Sequence, residues 1–107
     1  MDQAVADQIA ILKDLILETI PVERIYLFGS YANGKATSGS DLDMYVIMKD
    51  DSPFPEIEAE QRIALAFIGR KTIQADVLVL KKSRFERRLT APTLEREVAT
   101  KGIIIYG

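Results

Sequence analysis

The run "SDLDMYVIMKD", residues 40 to 50, sets two carboxylates, Asp41 and Asp43, at the front of a stretch that is otherwise apolar through Met48. An apolar run of this length bounded by polar residues is the profile of a strand. In a strand alternate side chains share a face, so Asp41 and Asp43 point one way while Leu42 and Met44 point the other. Two like charges that close repel unless a cation sits between them or one of them takes a proton. A hard dication such as Mg²⁺ is the natural partner, because it prefers carboxylate, phosphate and water oxygens.

A third acid extends the pattern. Asp76 interrupts the apolar run "IQADVLVL" where a further Val would be expected. If its strand pairs with the first, three carboxylates lie on one face, enough to hold two metal ions. Taken singly each acid also has a structural reading: Ser40-Asp41 as turn or cap chemistry, Asp43 as a solvent-facing strand residue, Asp76 as an inward charge protecting a sheet edge. Three on one face, downstream of a glycine-serine turn, favour the functional reading.

The rest of the chain frames these strands. Val5, Ile9, Leu12 and Ile16 fall at helical spacing between Gln3 and Thr19, with Pro21 closing the segment. "ERIYLFGS" reads as a buried strand ending in Gly29, and "YANGKATSGS" as a short helix or turn followed by a loop. A helix is predicted over Phe54–Ile68, a third strand in "KTIQADVLVLKK", a capping box in "SRFE", and a helix with Pro92 at its start and Gly102 at its end. "IIIY" is the last strand. The expected fold is α/β (α+β), a small mixed sheet packed with helices. The 107 residues suffice for one core, so residues 1–107 are expected to form one domain.

Composition matters here for what it removes. There is no Cys and no His, which excludes thiol catalysis, Ser-His-Asp arrangements and imidazole or thiolate metal ligands. Carboxylates remain for metal and acid–base work. With Lys+Arg at 14 against Asp+Glu at 16, for a net charge of -2, no global basic field favours a polymeric nucleic acid, and a nucleotide would be small or held locally. The basic segment "KKSRFERR" reads as a solvated helix face with Phe85 turned inward. The N-terminal segment fits neither a signal peptide nor a membrane span, so a cytoplasmic location without membrane contact is expected.

Gly29-Ser30 follows a strand directly. Glycine lets the backbone approach a ligand closely, a helix start exposes N–H groups, and the Ser30 hydroxyl can donate to a phosphate oxygen. "GSYANGKAT" nearly matches a P-loop, but Ala36 stands where a Ser or Thr should ligate Mg²⁺, and Lys35 leads into a loop rather than a long helix. The near-match is coincidental.

Gly29-Ser30, Gly34 and Ser40-Asp41-Leu42-Asp43 resemble the G-S-x(3)-G-x(5)-S-D-x-D signature of the nucleotidyltransferase superfamily typified by DNA polymerase beta. The length is similar to that of its smallest branch, the minimal nucleotidyltransferases, or MNT proteins. The resemblance implies a polymerase-beta-like nucleotidyltransferase fold and transfer of a nucleoside monophosphate, AMP from ATP, with two Mg²⁺ ions as cofactors. It implies catalytic and metal-binding roles for Asp41, Asp43 and Asp76, and nucleotide-binding roles for Gly29, Ser30 and Ser40. One departure is Lys101-Gly102, where relatives often carry an acidic residue before the glycine.

Larger members of that superfamily add an acceptor-binding domain for which this length leaves no room. The resemblance implies that the acceptor arrives from another chain, a tyrosine of a HEPN-domain toxin, with the chain as antitoxin; a homo-oligomer is a further expectation. The alternatives are transfer to a small-molecule hydroxyl and a non-catalytic binding antitoxin. The clustered acids speak against the last.

Overall fold

The computed structural model describes residues 1–107. Helix α1, Gln3–Thr19, starts at Asp2, whose side chain accepts from the Val5 N–H at 3.0 Å. Strand β1, Val22–Phe28, leads into the short helix α2, Ser30–Asn33, and a loop brings the chain to strand β2, Leu42–Met48. Helix α3, Glu56–Phe67, then crosses to strand β3, Ala75–Lys81. Helices α4, Lys82–Arg88, and α5, Leu94–Lys101, precede strand β4, Ile103–Tyr106. The sheet order is β3-β2-β1-β4, with β2 and β3 parallel and the other pairs antiparallel. This is the expected small mixed sheet with helices, and no helix is long and apolar enough to cross a membrane.

Period-two alternation divides β2 between two clusters. Leu42, Met44, Val46 and Met48 pack with Ile9, Leu12 and Ile16 of α1 and with Ala59, Ile63 and Phe67 of α3. Tyr45 and Ile47 face the other way, onto Phe85 of α4 and Val98 of α5. Helices therefore cover both faces, which is why the β2 run is apolar throughout except at its front. The pairing of β1 with β2 slips between Val22 and Arg24, leaving Glu23 as an extra residue. That bulge puts Val22 on the same side as Ile25 and Leu27 despite their odd spacing.

Local details differ from the sequence expectation at three helix ends. Helix α3 is two residues shorter at its start than predicted, because Pro55 occupies the N-cap position. Ser83 lies inside α4 rather than capping it; the Ser83 N–H is taken instead by the Asp50 carboxylate at 2.9 Å. Helix α5 is capped by Thr93, whose hydroxyl accepts from the Arg96 N–H at 3.2 Å, so Pro92 sits outside the helix. At its other end Gly102 carries the chain directly into β4. A Cβ there would lie 2.5 Å from the Val98 carbonyl oxygen and 3.2 Å from that of Leu27, so only glycine lets α5 and β1 meet this closely.

The second cluster contains a polar knot. Glu95, 6% exposed, accepts from the Tyr45 hydroxyl at 2.8 Å and pairs with Arg88. Burial works to raise the Glu95 carboxyl, but hydrogen bonds from Arg88 and Tyr45 outweigh it and hold the group below its ordinary value of 4.5. Burial and the same carboxylate push the Tyr45 phenol up. Because the folded Glu95 titrates lower than the unfolded one, its contribution is complete above pH 4.5 and lost as pH falls through the folded value. Replacing Tyr45 by Phe is expected to cost about 1–2 kcal/mol in chemical denaturation at pH 7, since a buried carboxylate oxygen loses its donor. In Glu95→Gln the fall in melting temperature below pH 4.5 should be shallower than in the wild type.

Candidate active site

The end of β1 and the starts of β2 and β3, the two strands that carry Asp43 and Asp76, meet at one end of the sheet. The last residue of β1, Phe28, is the register partner of Asp43 near the start of β2, and Asp43 is the partner of Asp76 near the start of β3. The parallel register sets Asp43 and Asp76 side by side on the face shared with Tyr45. Asp41 stands just before β2, whose first N–H, that of Leu42, donates to the Gln74 carbonyl at 2.8 Å. The pairing anticipated for the strand of Asp76 is thus present. Asp41 lies outside the strand instead of within it.

Their proximity is visible in the electrostatics. Burial raises the Asp43 carboxyl above its ordinary 3.8, and the charges of Asp76 and then Asp41 raise it further. Asp43 is half-buried, whereas Asp41 and Asp76 are exposed on either side. As the side chains stand, no three acids close around one point to form a complete cage. The donor set is an open row of carboxylates. Mg²⁺ is commonly held this way, by one or two carboxylates with substrate phosphates and water completing its octahedron. The residues fit such an ion, and Asp43, repelled from both sides, has most to gain from one.

Gly29 completes this end of the sheet. Its φ is 75°, a left-handed conformation that favours glycine. A Cβ there would fall 2.2 Å from Oδ2 of Asp43, so the Asp43 carboxylate occupies the space a side chain would need. Ser30 begins α2, and the Gly29 carbonyl accepts from the Ala32 and Asn33 N–H groups at 3.1 Å each. The Ser40 hydroxyl accepts from the Thr37 N–H at 2.8 Å, closing the turn that delivers Asp41. Ser40 therefore shapes the loop, while Gly29 adjoins the acids directly.

Two clefts flank this end. One, of about 740 Å³, lies beside Ser40 and Asp41, between the start of α1 and Thr72–Gln74. The other, of about 240 Å³, is walled by Phe28, Gly29, Asn33, Glu97 and Lys101. Sequence reasoning did not place Lys101 near the site, because only the tertiary packing of α5 on β1 brings it there, whereas Asn33 follows the glycine turn within α2. It also missed Gln8, a buried amide on α1 whose Oε1 accepts from the N–H groups of Thr72 and Ile73 and so fixes the approach to β3. A polar residue beside Ile9 on the apolar face of α1 was the available signal.

A mixed sheet with helices on both faces, its acids gathered beside a glycine turn, is an arrangement suited to phosphate-bearing substrates. The chain belongs to the nucleotidyltransferase domain family, whose model matches residues 8–105. No curated protein sequence matches it. Among solved structures it is similar to a Sulfolobus solfataricus protein assigned as a nucleotidyltransferase, at 19% identity and TM-score 0.57 over 97% of this chain and 86% of the other, a likeness of fold. It is also similar to a chain of a toxin–antitoxin complex with AMP-PNP, at 26% identity and TM-score 0.57 over 94% of this chain and 72% of the other. A mutant of the toxin–antitoxin pair MntA–HpeT matches at 28% identity and TM-score 0.56, over 90% and 69% of the two chains.

Two substitutions test this geometry without any substrate. Gly29→Ala is expected to destabilise by about 1–3 kcal/mol through backbone strain and collision with Asp43, read by chemical denaturation. The folded Asp43 carboxyl titrates above the unfolded one, so its ionisation opposes folding increasingly as pH rises from 3.8 through the folded value. Asp43→Asn should therefore melt at a higher temperature than the wild type at pH 7, and a lower melting temperature would contradict the repulsion.

Proposed function

We propose that the chain transfers AMP from ATP to a hydroxyl on a partner protein, a tyrosine of a HEPN-type toxin, and thereby acts as its antitoxin. The observation that carries this reading is the group Asp41, Asp43 and Asp76, whose central member Asp43 packs against Gly29. The similarity to chains of toxin–antitoxin complexes, one with AMP-PNP, supports the nucleotide and the kind of partner.

In this reading Gly29 and Ser30 hold the triphosphate, with Gly29 allowing its close approach to Asp43, and Ser40 keeps Asp41 in place. Asp41, Asp43 and Asp76 hold Mg²⁺, which when bound supplies positive charge to the attacking and leaving oxygens. The acceptor oxygen bonds to the α-phosphorus, the bond from that phosphorus to the bridging oxygen of pyrophosphate breaks, and pyrophosphate leaves. The acceptor's proton passes to Asp76, the exposed carboxylate on the edge strand. A chain without histidine can run this reaction because carboxylates do both the holding and the proton transfer. The cleft beside Asp41 leaves room for a side chain to enter from another protein.

Incubation with ATP, Mg²⁺ and the partner toxin is expected to add the mass of one AMP to a partner tyrosine, with pyrophosphate released in equal amount. Asp76→Ala should abolish that turnover while its melting temperature stays near that of the wild type. An unchanged partner mass with the wild-type protein would sink the reading.

A further inference from the structure

The two edges of the sheet are treated differently. At the β3 edge, side chains from neighbouring elements occupy outward main-chain donors: the Glu60 carboxylate accepts from the Val79 N–H at 3.1 Å and Glu56 from the Lys81 N–H at 2.7 Å. Asp50 takes the next free donor, the Ser83 N–H. Such covering is a standard way of keeping an edge strand from pairing with another chain. At the β4 edge none of these devices is present. Residues 102–107, "GIIIYG", contain no charge and no proline. No side chain bonds to the main chain of β4; the nearest such contact is Arg24 to the Gly107 carbonyl. Ile103, Ile104 and Tyr106 are 43%, 49% and 39% exposed.

β4 has one neighbour, β1, so half of its main-chain N–H and C=O groups point away from the sheet. What they can satisfy is another extended strand, and the apolar side chains on both sides require that strand to be apolar too. β4 itself is such a strand. An antiparallel main-chain ladder is self-complementary, which is the condition for an isologous interface about a two-fold axis. Charge agrees with this occupant. The Tyr106–Gly107 end of β4 lies against Glu23 and Arg24 of β1, and the opposite end follows Lys101. Antiparallel pairing brings Lys101 of one copy to the end where the other presents Glu23, which is held only loosely by Lys82 at 3.9 Å.

We propose that two copies of this chain associate through their β4 edges, extending the four-stranded sheet to a continuous eight-stranded one. The two-fold axis then stands perpendicular to the sheet, so both rows of acids face the same side. This inference does not depend on the reaction assigned to those acids.

Sedimentation velocity from micromolar to sub-millimolar protein tests it. The expected result is a concentration-dependent species of twice the 12.0 kDa chain mass, weakened at least ten-fold in dissociation constant by Ile104→Lys and unchanged by Ile57→Lys on the exposed face of α3. Hydrogen exchange of the wild-type protein gives a second readout that needs no variant: amides of residues 103–106 should exchange more slowly at high concentration than at low. A monomer at every concentration overturns the proposal. So does a dimer lost with Ile57→Lys but kept with Ile104→Lys, or protection of β4 that appears only when an unrelated partner strand is added.

Discussion

The parallel pairing of β2 with β3 governs everything else at the acidic end of the molecule. It sets Asp43 beside Asp76, and that juxtaposition is unfavourable by itself, since burial and two neighbouring charges all oppose ionisation of Asp43. The pairing survives because the remainder of β2 is buried on both faces. Leu42, Met44, Val46 and Met48 on one side, with Tyr45 and Ile47 on the other, fix a register in which a one-residue slip would exchange the two clusters. The apolar part of the strand thus holds the acidic part where it would not stay unaided.

The polar knot of Tyr45, Glu95 and Arg88 strengthens the same strand from the opposite face. Tyr45 is two residues from Asp43 and on its side of the sheet, so the bond to Glu95 ties α5 to the strand that carries the central carboxylate. The α5 wall of the smaller cleft, with Lys101 in it, is positioned by that attachment. Gln8 does the corresponding work on the far face, holding the approach to β3.

Much of this was legible in the sequence because it rests on local pattern. The spacing of Ile9, Leu12 and Ile16 predicts α1, and the interruption of two apolar runs by Asp43 and Asp76 predicts a shared acidic face. What escaped rests on nonlocal packing. The bulge at Glu23 exists to reconcile Val22 with Ile25 on one face, which no alternation pattern foretells. Ser83 lies inside α4 instead of capping it, and its N–H is taken by Asp50 because the end of β2 happens to lie there. Asp41 is not a strand residue, because the chain is still turning at Ser40 when it reaches it.

Gly102 joins the last helix to the last strand with no residue to spare, since α5 ends at Lys101 and β4 begins at Ile103. Its tight fit against the carbonyls of Val98 and Leu27 leaves no slack between them. The edge strand and the helix that walls the glycine turn are therefore joined directly, and both rest on β1. A change in the path of the outermost strand has no intervening loop residue to absorb it before it meets Lys101, beside the glycine turn.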